Sequence, residues 1–241
     1  MSTQAMSTPR MINAAEQDGK WLYRVGSISA FVLGIGYLLT FPIYAWVGDA
    51  PPTGVEDRLR YFAGHATGWW MIMGLMVFTD LLYIPIFSSL YQALKGLNKG
   101  AVLMGTLLAG LFVPLDLAIT WPTFSALITS GTHYAAATSD AQREVFVAAA
   151  AYPSAMLDSP LAGTYAILFP SLGILIIGLV MLRGIFNKTT AYVALAVGLT
   201  GIVFMGSYAV GALAVLRIIN ALLATSWYLL VGFRLYRLAQ Q

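Results

Sequence analysis

Three formally charged residues interrupt apolar runs of this chain: Asp80, Asp116 and Arg217. Asp116 lies in Val113-Pro114-Leu115-Asp116-Leu117-Ala118-Ile119-Thr120-Trp121-Pro122, where a carboxylate, a hydroxyl and an indole N–H stand between two prolines. In hydrocarbon such a charge costs roughly 2.5–3.5 kcal/mol on insertion scales, so it normally turns inward and pairs. At a rise of about 1.5 Å per residue, Asp116 falls about 24 Å along a helix starting at Gly100, in a core about 30 Å thick. Arg217 falls roughly 9 Å along a helix entering from the opposite face. The two heights match, so an Asp116–Arg217 ion pair is expected. Asp80 comes out deeper, about 18 Å from that same face, with Tyr83, Thr79 or Asn220 as expected partners. Without one it should carry a proton, because burial disfavours the charged form.

Two kinds of chemistry suit these residues. One is a polar cavity, open outward, that binds a small molecule or lipid. Asp80, Asp116 and Arg217 would floor it, and Tyr83, Thr120, Trp121 and Asn220 would complete it. The other is general acid–base catalysis by Asp80 or Asp116, which needs a second catalytic group within hydrogen-bond reach. The same trio would also serve as polar glue that fixes helix rotation, as in an accessory subunit of a membrane complex. Binding ranks above transport, because six spans without a convincing inverted repeat are few for a secondary transporter.

Other chemistries find little support. There is no cysteine, which excludes disulfides and thiolate sites. His65 and His133 lie in separate connections without HxxxH or HExxH spacing, so no metal site is expected. Neither histidine is deep in a span, which argues against haem, and no span interior offers a lysine for a Schiff base. Thr79-Asp80 and Leu115-Asp116 lack the Tyr-Asp and Gly-x-Gly-Asp settings of intramembrane aspartyl proteases, and no GxSxG is present. No catalytic residue, cofactor or nucleic-acid partner is assigned.

The elements that must position these residues follow from composition. Of 241 residues, 59% are hydrophobic and 10% charged, against about 25% charged in an ordinary soluble domain. Repeated apolar runs of about 20 residues then read as an all-α, polytopic membrane bundle. Six spans are expected, at about 25–47, 68–94, 100–121, 161–182, 191–210 and 212–233. Residues 1–20 read as a flexible tail and 21–241 as one transmembrane domain. Thr53 and Glu56 have capping-box spacing and should start a short amphipathic surface helix ending near Gly64-His65. Ser139 and Gln142 repeat the pattern, starting a second helix that should stop near Tyr152-Pro153. Lys95–Lys99 and Arg183–Lys188 read as tight basic turns, and Pro85 and Pro170 as kinks. Gly105, Ala109, Phe112, Asp116, Thr120 and Thr123 share one helical face, whose small residues permit close helix approach.

Orientation follows from the basic residues. Arg10, Lys20, Arg24, Lys95, Lys99, Arg183, Lys188, Arg234 and Arg237 fall on one side, against Arg58, Arg60 and Arg143 on the other. Nine against three places both termini in the cytoplasm.

Several phrases also resemble a family. Trp69-Trp70 leading into Thr79-Asp80-Leu81-Leu82-Tyr83-Ile84-Pro85, then Leu115–Pro122, Tyr134-Ala135-Ala136-Ala137-Thr138 and Val231–Leu238 are similar to an uncharacterised bacterial family of six-helix integral membrane proteins. The resemblance runs from about residue 21 to the end. It implies a bacterial inner-membrane location and six spans. It implies no activity and no catalytic residue.

Overall fold

The computed structural model describes residues 8–48, 50–184 and 186–241, with side chains from residue 19 onward. Those residues are mostly helical, with no strand among them. The first helix, α1 (Thr8–Val47), begins inside the segment read as a tail. Ala14-Ala15-Glu16-Gln17 are good helix formers, which lets the helix extend backwards from the apolar run; residues 1–7 lie outside the described residues. By length and composition five stretches could cross a membrane: Gly19–Val47, Val55–Ala136, Pro160–Met181, Lys188–Tyr208 and Gly211–Gln240.

Prolines and one asparagine set the internal breaks. The helix α2 (Val55–Leu81) is preceded by Gly54 at φ 102°, a left-handed conformation that suits glycine. The Thr53–Glu56 capping box therefore does not form, and α2 starts without a side-chain cap. The expected surface helix is continuous with the span after it, bending at His65 (φ −123°, ψ 16°). Next, α3 (Tyr83–Leu115) begins just past the single turn residue Leu82. Pro85 has no N–H to give the Leu81 carbonyl, which ends the preceding ladder there. The turn expected at Lys95–Lys99 narrows to Asn98, whose φ −158° and ψ 89° break α3. The Asn98 Oδ1 atom accepts the Ala101 amide N–H at 3.1 Å.

The expected stop at Trp121 does not occur. Residues Asp116–Thr120 form a π turn, after which α4 runs from Trp121 to Ala136. In that turn the Trp121 N–H bonds to the Asp116 carbonyl five residues back. Pro122 explains it: with no N–H to give Ala118, the ladder is already open, and an extra residue fits. The helix α5 (Asp140–Asp158) has the expected Ser139 cap, accepting the Gln142 N–H at 3.3 Å. It carries Pro153 in its interior instead of stopping there. A short α6 (Pro160–Gly163) leads into a second π turn, Thr164–Leu168, and then α7 (Phe169–Met181). Pro170 stands to this turn as Pro122 stands to the first, and the Phe169 N–H bonds to the Thr164 carbonyl. Beyond it come α8 (Lys188–Phe204), capped by Asn187, and α9 (Leu216–Gln240), joined through 3-10 turns at Met205–Tyr208 and Gly211–Val215.

Two packed groups result. One gathers α1, α3, α7, α8 and α9 around Leu33, Phe87, Leu90, Ile177, Trp227 and Tyr228. Here α3 meets α7 through glycines: a Cβ on Gly105 would stand 2.8 Å from the Gly173 carbonyl oxygen, and one on Gly173 2.5 Å from that of Gly105. Small residues let the two backbones touch, as the shared face predicts. The other group packs α2, α4 and α5 around Leu59, Phe62, Trp69, Leu127 and Ile128. Trp69 stacks on Phe124 with centroids 5.0 Å apart. Arg58, 3% exposed, clasps α5 by donating to Ser154 O at 2.8 Å and Asp158 Oδ1 at 2.7 Å.

Candidate functional site

The last turn of α2 delivers Asp80, and the first π turn delivers Asp116 and Thr120, with Trp121 next in line. Asp80 is wholly buried, and Asp116, Trp121 and Tyr165 nearly so. The Trp121 indole N–H donates to Asp80 Oδ2 at 2.7 Å. The Thr120 hydroxyl donates to Asp116 Oδ1 and stands 2.8 Å from the Tyr165 hydroxyl. The Asp80 and Asp116 carboxyls lie within hydrogen-bond reach of each other. Asp80 Oδ1 receives no N–H or O–H donor, although it is sealed from solvent.

The expected Asp116–Arg217 pair is absent. The ion pairs found among the described residues with side chains are Arg58–Asp158, Arg60 with Glu56 and Asp57, and Arg143–Asp140. Arg217 is the second residue of α9 and exposed. The 3-10 turn Gly211–Val215 stands just before α9, with only Leu216 between it and Arg217. Arg217 therefore sits at a helix end, where a long cationic side chain can extend its head past the apolar surface. The electrostatic influence of Arg217 reaches Tyr44, near the far end of α1. Asp80 also departs from expectation: Trp121 and Asp116 are its neighbours, in place of Tyr83, Thr79 or Asn220.

Asn220 instead donates to the Val197 carbonyl at 2.7 Å and to Thr200 Oγ1 at 3.0 Å, tying α9 to α8. Tyr83 hydrogen-bonds Tyr37 at 2.9 Å, hydroxyl to hydroxyl, and its ring meets Tyr228 edge-on. These residues border a cavity of about 210 Å³ lined mainly by α1, α7 and α9, with single residues from α2, α3 and α8 and two from the second π turn. Arg217, Asn220, Tyr37, Tyr83, Tyr228 and Thr40 contribute its polar groups, and Phe41, Ile174, Ala221 and Ala224 are among its apolar ones. The Tyr228 hydroxyl has no well-directed hydrogen-bond partner there. The seven residues expected to form one site thus divide. Tyr83, Arg217 and Asn220 line the cavity; Asp80, Asp116, Thr120 and Trp121 form a closed cluster that does not line it.

Tyr165, Tyr37 and Tyr228 were not among the sequence candidates. A signal for Tyr165 was present: Pro170 follows Thr164 by six residues, as Pro122 follows Asp116, which puts Tyr165 in a π turn equivalent to the aspartate's. Tyr37 and Tyr228 had no such signal, since tyrosine in an apolar run is ordinary core. The histidines stay apart from the site. His65 stacks on Tyr61 and bonds its carbonyl at 2.8 Å, while His133 stacks on Phe146. No cluster of three metal-ligating His, Cys, Asp or Glu residues occurs among the described residues.

A wider depression of about 640 Å³ lies between α2, α4 and α5. Both of its cations are engaged: Arg60 holds Glu56 at 2.5 Å, and Arg143 holds Asp140 at 3.0 Å. Compared with family models, curated proteins and solved structures, the chain finds no match.

Proposed function

We propose that this is an integral protein of a bacterial inner membrane that binds a small anionic amphiphile, a lipid or lipid fragment, in the interhelical cavity. The carrying observation is Arg217, a cation with no ion pair among the described residues, at the rim of an otherwise largely apolar cavity. The Tyr228 hydroxyl inside, near Tyr83 but without a well-directed partner, offers an orienting hydrogen bond. Apolar walls with a few convergent polar groups are the usual make-up of a ligand site. Drug-sized ligands occupy about 300–1,000 Å³, so about 210 Å³ suits a short chain or the end of a longer one.

Membership of the uncharacterised six-helix family, six crossings and cytoplasmic termini belong to the same reading. Val55–Ala136 is 82 residues long, or about 120 Å as continuous helix, several times the bilayer core. Its break at Asn98, between Lys95 and Lys99, supports two crossings there. Nine of the basic residues then share one side, which supports the orientation.

Saturable binding of octanoate to the purified protein in nanodiscs, followed by calorimetry, tests the reading. Arg217→Gln and the cavity-filling Ala224→Phe should each weaken binding at least about tenfold, or about 1.4 kcal/mol. Absence of saturable binding, or affinity unchanged in both variants, would refute it. An intramembrane enzyme using Asp80 or Asp116 is the second reading, favoured by the contact between the two carboxyls. General acid–base chemistry needs substrate within reach of those groups, and neither lines the cavity.

A further inference from the structure

We propose that Asp80 and Asp116 form a proton-binding site, holding one proton between their carboxyls, separate from the amphiphile cavity. A carboxylate oxygen can only accept hydrogen bonds, so two ionised carboxylates in contact have nothing to hold them together. Each already spends one oxygen on a donor: Asp80 Oδ2 on Trp121, Asp116 Oδ1 on Thr120. Asp80 Oδ1 is left over, wholly buried and without a donor. Leaving such an atom unmatched costs about 1–3 kcal/mol, more for a charged group. A proton on the adjoining Asp116 carboxyl supplies that donor. Binding is one step: an oxygen lone pair takes H⁺, the new O–H donates to the other carboxyl, and the pair goes from two negative charges to one. This is the arrangement by which paired aspartates share a proton, because like charges in contact cannot both ionise.

The surroundings select a proton over a metal ion. A metal placed between the carboxyls would need further oxygen ligands. The neighbouring side chains instead aim donors at the pair: the Trp121 N–H at Asp80 and the Thr120 hydroxyl at Asp116. The titratable groups facing the pair are tyrosines: Tyr37 from α1, Tyr83 from α3, Tyr228 from α9, and Tyr165 through Thr120. No Lys, Arg or His of the described residues makes a hydrogen bond or ion pair with either aspartate, so neutralisation falls to the proton.

Infrared spectroscopy of the purified protein in nanodiscs reads the site without needing a ligand. At neutral pH the wild type should show the carbonyl stretch of a protonated carboxylic acid, shifting in D2O. Asp116→Asn keeps shape and places an amide donor beside Asp80, leaving that group ionised; Asp80→Asn does the reverse. Each variant should fold and lose the band. No acid band in folded wild type would overturn the proposal, as would a band that persists in both variants. If sodium at fixed pH erases the wild-type band, the site takes a metal cation and the proton assignment fails. Because the wild-type spectrum alone can refute it, a variant that misfolds leaves the test intact. Octanoate affinity plays no part in the readout, so failure of the cavity reading remains distinguishable.

Discussion

The Thr120 and Tyr165 hydroxyls, 2.8 Å apart, join the two π turns of the bundle. One turn carries Asp116, the other precedes Pro170, and the bond lies where both helices depart from regular α geometry. π turns occur often at functional sites, and here the two face each other across a hydrogen bond beside a buried carboxyl.

Removing that bond separates its two ends. Tyr165→Phe should cost about 1 kcal/mol, the usual net value of one hydrogen bond. Thr120→Val also strips Asp116 Oδ1 of its donor and should cost more, about 2–3 kcal/mol. Reversible denaturation in mixed micelles measures both. Equal effects would mean that the Thr120–Asp116 bond contributes nothing.

Trp121→Phe keeps the ring but deletes the N–H to Asp80. A loss of about 1–3 kcal/mol is expected, since a buried carboxyl oxygen loses its donor. The measurement is the same denaturation midpoint, compared with Trp70→Phe, an exposed indole, as reference.

Gly173→Ala should force α3 and α7 apart, because its Cβ meets backbone atoms, Gly105 O at 2.5 Å and Ala109 N at 2.7 Å. Overpacking of this kind costs about 1–3 kcal/mol. Gly110→Ala, with nothing within 4 Å of the new methyl, should stay within about 0.5 kcal/mol of wild type. Thermal melts of the pair decide whether close approach or helix propensity governs these glycines.

Arg58→Met removes the clasp on α5. The guanidinium is 3% exposed and its partner Asp158 50% exposed, so the full 3–5 kcal/mol of a broken buried pair should not appear. About 1–3 kcal/mol is expected, with faster proteolysis at the α5 ends. Arg217→Gln, by contrast, should leave the midpoint within about 0.5 kcal/mol, because Arg217 has no ion-pair partner among the described residues. A large loss there would revive the ion pair with Asp116.

The apolar runs, the Ser139 cap and the glycine face were legible from residue types and spacing, and the helix end expected near His65 and the turn expected at Lys95–Lys99 mark where the chain bends at His65 and breaks at Asn98. What was not legible has two physical sources. Chain stops were read at Trp121-Pro122 and Tyr152-Pro153 and a kink at Pro170, yet Pro122 and Pro170 follow π turns that absorb the missing donor, and Pro153 lies within a continuous helix. Charge reasoning also paired opposite signs, Asp116 with Arg217, and assumed regular helix up to Arg217. The 3-10 turn at Gly211–Val215 leaves that arginine near a helix end, while two like-charged groups meet in the interior. Like charges look incompatible until a proton is counted as one of the partners.

Each π turn also acts as a phase shifter. One surplus residue turns everything downstream by about 100° around the axis. That offset lets Asp116 and Trp121 address the same carboxyl while the rest of α4 keeps its own packing against α2. Deleting a single residue, Ile119 for instance, would return the segment to ordinary winding without touching any polar group. The indole would then stand four residues from the aspartate, still on one helical face, so it is the wide turn that keeps the two together across five residues.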